Sequence, residues 1–362
     1  MIKTTLISFV SILLIAGSSY GQDRKLAADL FAVGNFEEAI GEYESLLEEE
    51  PENIEYNYNI AVCYLNTNID KSLAIAPLEK LVQNPKITPD AYYLLGRAYH
   101  FGYRFDNAID MFNKFISTGK GSEENRQNVD SQIDYCQNAK ELLKFPKKVS
   151  FQNLGKGVNS IYDDYFPFIP VNEEFVIFNS NREDRAVQPQ ENGRYLPNIY
   201  IAYEKDGQFQ EAQKLPGIVN TSEGKQEIVG LNASGSKAVF YFEDYNMEGD
   251  IYESGIEGKG VKKPVKLTDV INSKSTEIAG CFTENNEKFF FASDRPGGYG
   301  GIDLYMCQRL PNGNWSMAQN LGPTINTAQD EDFPNISIDG KYLFFSSKGH
   351  ASMGGYDIFK AE

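Results

Sequence analysis

Apolar residues follow two rhythms along the chain, and the change falls near Pro146. Between residues 24 and 145 they recur three and four positions apart: Ala27, Leu30 and Phe31, then Phe36, Ala39, Ile40, Tyr43, Leu46 and Leu47. That spacing places them on one face of a helix. Gly34-Asn35 separates the two runs as a turn, and Pro51 ends the second. The pattern then returns at a period near 34 residues: Pro51 recurs as Pro85, Ala61 and Tyr64 open a second unit, and Gly96 and Tyr99 open a third. Ala39 is matched by Ala108 and Tyr43 by Phe112. Helix pairs are predicted over 20–53, 54–87 and 89–122. A closing helix over 123–145 carries Ile133, Cys136, Ala139, Leu142 and Leu143 on one face, with Ser122 as its N-cap. The second pair departs from the pattern, with Leu73 where alanine is expected and Pro77 inside its second helix.

After Pro146-Lys147-Lys148 the apolar residues come in short consecutive blocks. Four such blocks are Phe175-Val176-Ile177-Phe178, Ala238 to Phe242, Phe289-Phe290-Phe291-Ala292 and Tyr342-Leu343-Phe344-Phe345. A strand with one wet face would alternate; a continuous block needs cover on both faces, as a propeller blade has between two neighbours. Each block belongs to a repeated unit that begins with an acidic residue (Asp164, Glu227, Glu277, Glu331) and has a later strand opened by Asn198, Asp250, Asp303 or Asp357. The spacing from Asp250 to Asp303 is 53 residues and from Asp303 to Asp357 is 54. Leu215–Asn220, Leu267–Asn272 and Leu321–Asn326 link one unit to the next, and Leu154–Asn159 supplies the same element ahead of the first. Val149–Leu154 is therefore expected to complete the last blade, which closes the ring and makes the chain read as complete.

The small and large residues at helical spacing, with proline ending the unit, resemble the tetratricopeptide repeat (TPR). Ser293-Asp294-Arg295-Pro296-Gly297-Gly298-Tyr299-Gly300-Gly301-Ile302-Asp303, Asp332-Phe333-Pro334-Asn335 and Asp339-Gly340 look like the TolB-type, WD40-like propeller repeat. The resemblance implies a TPR α-solenoid followed by a β-propeller of about four blades. The expected domains are a signal peptide at 1–21, helices with a capping helix at 22–145, and a propeller at 146–362. In the TPR family the first helix of each unit lines a concave groove, which here implies Tyr58, Val62, Leu65, Tyr93, Arg97, His100 and Phe101 as contacts for an extended peptide. The order of parts resembles the N-terminal half of OmpA-family envelope proteins of the Bacteroidetes, some of which belong to type IX secretion and gliding machinery. This chain stops before the peptidoglycan-binding domain of those proteins, so a direct grip on peptidoglycan is not expected.

Composition adds location and exclusions. Lys3, then an apolar run from Leu6 to Gly17, then Ser19-Tyr20-Gly21, reads as a secretory signal cleaved before Gln22. No cysteine lies near that site, so no lipid anchor is expected on the mature end. The expected location is periplasmic, peripheral to the outer membrane, with secretion as the alternative. A net charge of −17 disfavours nucleic acid. Cys63, Cys136, Cys281 and Cys307 are expected to be buried free thiols, without zinc spacing. There are two histidines, His100 and His350, in different domains, and no Gly-x-Ser-x-Gly elbow, so an enzyme is not expected. No cofactor or metal is expected; Asp250, Asp303 and Asp357 read as turn caps in preference to calcium ligands. Asp294 and Arg295 are expected to pair. The insertion Glu183–Pro197 in the first unit clusters Arg182, Arg185, Arg194 and Tyr195, and a private loop of this kind is where binding is acquired. The function expected is a protein-binding scaffold with envelope partners; the alternative is a small-ligand or glycan receptor using the propeller funnel.

Overall fold

The computed structural model describes residues 23–184, 188–190, 194–221, 224–243, 249–258 and 260–362. The expected signal peptide at 1–21 lies outside the described residues. The chain divides into two compact units, one ending at Pro146 and the other beginning at Lys147.

The first unit is helical: α1 (23–32), α2 (Phe36–Glu49), α3 (Ile54–Leu65), α4 (Ile75–Leu81), α5 (Asp90–Phe101), α6 (Phe105–Thr118) and α7 (Glu123–Leu142). They form three antiparallel pairs and a closing helix. Small residues sit where paired helices touch: Ala39 and Ala108 are fully buried, and a Cβ on Gly96 would lie 2.5 Å from the Phe112 ring. Asn53 caps α3 by accepting from the amides of Glu55 and Tyr56, and Ser122 caps α7 by accepting from Asn125. Gly119, at φ +62°, ends α6. The irregular second pair has a structural expression. Leu73 lies in a 3-10 turn, Lys71–Ala74, that leads into a short α4. Pro77 occupies the first turn of α4, where a missing N–H leaves no broken bond.

The second unit is a four-blade β-propeller, with every ladder antiparallel. Blade 1 holds β1 (Asp164–Phe168), β2 (Phe175–Ser180) and β3 (Asn198–Lys205), with β4 (Gln208–Phe209) and β5 (Gln213–Lys214) both paired to β3. Blade 2 holds β6 (Lys225–Leu231), β7 (Lys237–Glu243) and β8 (Gly249–Glu257), with β9 (Gly260–Val261) and β10 (Val265–Lys266) paired to β8. Blade 3 is β11 (Glu277–Phe282), β12 (Lys288–Ser293), β13 (Asp303–Gln308) and β14 (Gln319–Asn320). Blade 4 is β15 (Glu331–Ile336), β16 (Leu343–Ser347) and β17 (Asp357–Ala361).

The middle strands are buried on both faces because each blade packs on its neighbours. Ile177 and Ile199 meet Ile228 and Phe240 between blades 1 and 2. Val239 and Ile251 meet Phe289 and Phe291 between blades 2 and 3. Phe290 and Leu304 meet Leu343 and Phe345 between blades 3 and 4. Around the channel the first strands approach so closely that a Cβ on Gly230 would lie 1.8 Å from the Gly280 carbonyl oxygen.

The crossovers fasten these seams. Asn220 accepts from the Ile199 amide (2.7 Å) and donates to the Ile199 and Leu215 carbonyls (3.0 and 2.8 Å). Asn272 does the same with Ile251 and Leu267 (2.9 Å each). Asn326 grips Leu304 at 2.8 and 3.0 Å. One side-chain amide thus satisfies backbone groups on a buried strand that has no further full-length neighbour.

Three expectations are corrected. Val149–Leu154 forms no strand and pairs with nothing among the described residues; blade 4 has three strands, and Phe151 is 96 % exposed. Pairing requires a β17 edge within ladder distance, and the tertiary arrangement leaves that edge unoccupied. The acidic residue of the second repeat is also misplaced by two positions. Asp164, Glu277 and Glu331 each accept from the backbone amide and hydroxyl of a Ser or Thr four residues earlier. The matching position in blade 2 is Lys225, paired across the sheet with Glu243, and Glu227 stands outside this motif. Finally, Asp294 accepts from the Thr276 amide, and Arg295 bonds Glu277. The Glu277 carboxylate lies beneath the blade where Arg295 can also reach the carbonyls of Val270 and Ile271.

Candidate functional site

At one end of the channel the first strands of the blades bring aromatic and charged side chains together around a cavity of about 540 Å³. Bulges between first and second strands set this geometry, since an extra residue re-aims the side chains that follow. In blades 1 and 4 the bulge puts Phe166 and Phe333 at φ +50° and +48°, a costly conformation for an aromatic residue. Their ring centroids stand 4.4 Å apart at the cavity wall.

The polar groups are set by burial. Tyr165 donates its hydroxyl to Glu227 at 2.6 Å, and Lys225 pairs with the other Glu227 oxygen at 2.9 Å. Burial, with the Glu227 carboxylate beside it, pushes the Tyr165 phenol well above its usual range. Arg194 stands 3.6 Å from Asp163, and Tyr241 donates to Glu243 at 3.1 Å. Asp332 is buried, and one of its oxygens accepts from the Phe333 amide at 2.6 Å. Burial, and then the nearby Asp330 charge, raise its carboxyl to about 7. The mouth combines aromatic faces with carboxylates, which suits a cationic or polyhydroxylated group. The sequence signal for it is the Phe-Pro pair at 166–167 and at 333–334, absent from the other two blades. Tyr165, Glu227 and Asp332 are functional candidates that the repeat pattern by itself did not bring forward.

The residues implied for the helical groove separate into two groups. Leu65 and Tyr93 are core residues; the Tyr93 ring lies 5.6 and 5.5 Å from those of Phe112 and Phe115. Their side chains are enclosed by helix packing and offer no groove surface, which corrects the expectation for these two. Tyr58, Val62, Arg97 and His100 are half-buried and Phe101 is exposed. Lys71 Nζ stands 5.6 Å over the Phe101 ring. Burial raises the Tyr58 phenol, with Asp90 adding to it.

His100 Nδ1 lies 3.2 Å from Cys136 Sγ. The distance fits a thiol–imidazole pair, but Cys136 is fully buried and burial pushes its thiol up to about 12, away from the reactive thiolate. All four cysteines are free and buried. Among the described residues no group of three His, Cys, Asp or Glu side chains is placed to hold a metal ion, and no helix is long and apolar enough to cross a membrane.

The first-blade loop also divides. Arg182 is a framework residue: it bonds Asp164 and the Val158 carbonyl at 2.7 Å, Ser180 at 2.8 Å, and stacks 4.5 Å over Tyr200. Arg295 makes the matching set in blade 3, with Glu277, Ile271 and Tyr305. Arg182 is therefore withdrawn as a contact residue, because its donors are engaged under the blade. Arg185 lies outside the described residues. Arg194 is half-exposed at the channel mouth, and Tyr195 packs edge-on against Tyr162.

The family model described as Tetratricopeptide repeat matches residues 90–118, which span α5 and α6. No curated protein matches the chain. Among solved structures, TolB from Acinetobacter baumannii is similar at 16 % identity, over 56 % of this chain and 42 % of that one, with a TM-score of 0.35. The β-propeller domain of the Trilobed protease from Pyrococcus furiosus is similar at 10 % identity, over 56 % and 52 %, with a TM-score of 0.31. The tricorn protease is similar at 12 % identity, over 57 % and 18 %, with a TM-score of 0.36. The chain thus spans at most about half the length of these proteins, and likeness of this degree carries no functional inference. What stands is a helical unit with a matched tetratricopeptide repeat, followed by a four-blade propeller.

Proposed function

We propose that this protein is a non-enzymatic scaffold that binds other proteins in the bacterial envelope, exported to the periplasm and peripheral to the outer membrane. The observation that supports this reading most is where the polar residues go. Asp164, Arg182, Glu277, Arg295 and the crossover asparagines recur from blade to blade and are engaged in backbone and blade-to-blade bonds. Cationic and aromatic side chains with exposed surface include Arg97 and Phe101 on the helices, beside the half-buried Tyr58, and Arg194 at the channel mouth, where it also pairs with Asp163. The helical set suits extended or acidic protein segments. Partners in secretion or gliding machinery of the type IX kind follow from the resemblance in domain order; nucleic acid and a direct grip on peptidoglycan are not part of the proposal.

A photo-crosslinking residue at Tyr58 or Phe101 of the full chain, in the native envelope, tests this. The expected result is a discrete adduct with one envelope protein, lost on Arg97→Glu and absent with the crosslinker at Glu38, an exposed position in the first turn of α2. Adducts equal at all positions, or none from helices or channel mouth, overturn it. A second reading, a ligand or glycan receptor, is favoured by the strained Phe166 and Phe333 rings at the mouth. Saturable binding of a glycan that Glu227→Gln abolishes would establish that reading instead.

A further inference from the structure

The blades share their framework residues but differ at the position that looks into the channel. The openers Asp164, Glu277 and Glu331 all turn their carboxylates to backbone amides and hydroxyls of the framework. The residues that follow them, Tyr165, Ile278 and Asp332, all line the channel-mouth cavity. Ile278 shows that packing at this position asks for no charge. Asp332 nevertheless places a carboxyl there, at 5 % exposure. A buried carboxyl costs stability unless a partner compensates it, so the framework gains nothing from this one. Its Oδ1 accepts from the Phe333 amide at 2.6 Å. Among the described residues no donor reaches its Oδ2, and Lys348, whose charge Asp332 feels, bonds Asp330 at 2.8 Å.

Charge at the mouth does not balance. Asp163, Glu227, Glu243 and Asp332 line it on the acidic side, Arg194 and Lys225 on the basic side. Arg194 stands 3.6 Å from Asp163, and Lys225 2.9 Å from Glu227. Glu243 accepts the Tyr241 hydroxyl at 3.1 Å and, like Asp332, stands in no ion pair among the described residues. Two carboxylates therefore remain beyond those the local cations match.

The same wall is aromatic. The Phe166 and Phe333 centroids lie 4.4 Å apart with their planes at 55°, and the Tyr165 ring meets Phe166 edge-on at 4.9 Å. Rings set at such angles offer π faces from more than one side, and a π face attracts a cation. The backbone holds Phe166 and Phe333 here at positive φ, against their own preference.

We propose that the channel mouth binds an organic cation, an ammonium or guanidinium head on an aliphatic stem, with Asp332 and Glu243 supplying the countercharge and the Phe166 and Phe333 rings covering the stem. This rests on the reading of the mouth as a ligand site and narrows its class. A neutral glycan would leave both carboxylates without a countercharge, and an anion would meet surplus negative charge. A cavity of about 540 Å³ accommodates a small molecule or one long basic side chain. The head group has two sources, a lysine or arginine of a partner protein and a free polyamine.

Titration calorimetry of the full chain at pH ~8 tests this, where the carboxylates are ionised and aliphatic amines still protonated. The probes are Nα-acetyl-lysine amide, putrescine and, as a neutral sugar, chitobiose. Both amines are expected to saturate one site at millimolar concentrations or below, and chitobiose to give no heat. Asp332→Asn and Phe166→Leu are each expected to weaken the amines by roughly tenfold or more, while Glu211→Gln, which removes an exposed charge elsewhere on the propeller, leaves them unchanged. Tighter binding of the lysine probe, abolished when its Nζ is acetylated, assigns the guest to a partner's side chain; tighter binding of putrescine assigns it to a free polyamine. Melting curves establish that each variant is folded, and either variant alone suffices if the other is not. Chitobiose binding without amine binding overturns the proposal and leaves the mouth a ligand site of another class. No saturable binding of any probe overturns both. Amine binding that survives Asp332→Asn or Phe166→Leu, or that Glu211→Gln weakens equally, also overturns it. Crosslinked adducts at Tyr58 or Phe101 do not depend on this result, so the scaffold reading fails or stands separately.

Discussion

Two buried side chains illustrate how position decides what a charge does. Arg295 and Glu277 are both nearly enclosed, yet every strong donor and acceptor on them is met: by each other at 2.9 Å, by Ser293, by backbone carbonyls and by aromatic faces. Removing one partner leaves the other charged and dry, so Arg295→Ala is expected to destabilise the second unit by roughly 3–5 kcal/mol, read from urea midpoints. Asp332 is the contrary case, a buried carboxyl that accepts from the Phe333 amide, while Lys348 bonds Asp330 at 2.8 Å. Its folded pKa of about 7 lies above the ordinary carboxylate value of ~4. The stability it contributes is therefore complete below pH ~4 and is lost as pH rises towards 7, because the folded protein holds a proton that the unfolded chain releases. Asp332→Asn is expected to gain on the unaltered protein as pH rises from ~4 to ~7, measured as the difference in urea midpoint. A constant difference across that range would refute the assignment.

At the scale of elements, the crossover asparagines are where a single residue holds a blade. Asn272 bonds both backbone groups of Ile251 and the carbonyl of Leu267, all in a buried seam. Asn272→Ala leaves three groups unpaired and is expected to cost about 3 kcal/mol, whereas Asn272→Asp, which turns a buried carboxylate oxygen on the Ile251 and Leu267 carbonyls, is expected to cost more at neutral pH. Denaturation of both variants checks the order. The helical elements were readable in advance because each apolar stripe depends on neighbours three and four positions away. The exception, α4, was also marked in the sequence: Pro77 and Leu73 announced an irregular pair, and a 3-10 turn with a short helix is its form. The acidic opener of blade 2 was misread because Glu227 resembles its counterparts in type while Lys225 matches them in position; only the Lys225–Glu243 pairing decides between them.

At the scale of the whole molecule, the four cysteines stand as free thiols, each buried. Burial pushes the thiols of Cys63, Cys136 and Cys281 up to about 12 and that of Cys307 to about 11. A thiol reagent at neutral pH is therefore expected to label none of them rapidly in the native protein and all four in denaturant. Rapid native labelling, or fewer than four after unfolding without reductant, would contradict this. The same burial argues against thiol chemistry at His100 and Cys136 despite their 3.2 Å approach.

The helix pairs, the four strand blocks, the repeat lengths and the free thiols were legible in the linear order of residues, because each rests on periodicity or spacing among near neighbours. The candidate sites were only partly so. Leu65 and Tyr93 could not be told from groove residues by pattern, since the same helical face both packs and binds. Arg182 could not be told from a surface arginine until Asp164, 18 positions away, was placed beneath it. The Phe-Pro pairs mark the channel mouth in the sequence, but its assembly, the burial of Asp332 and the unpaired β17 edge were decided by tertiary structure, because they depend on strands far apart in the chain, and no local rule specifies how such distances close.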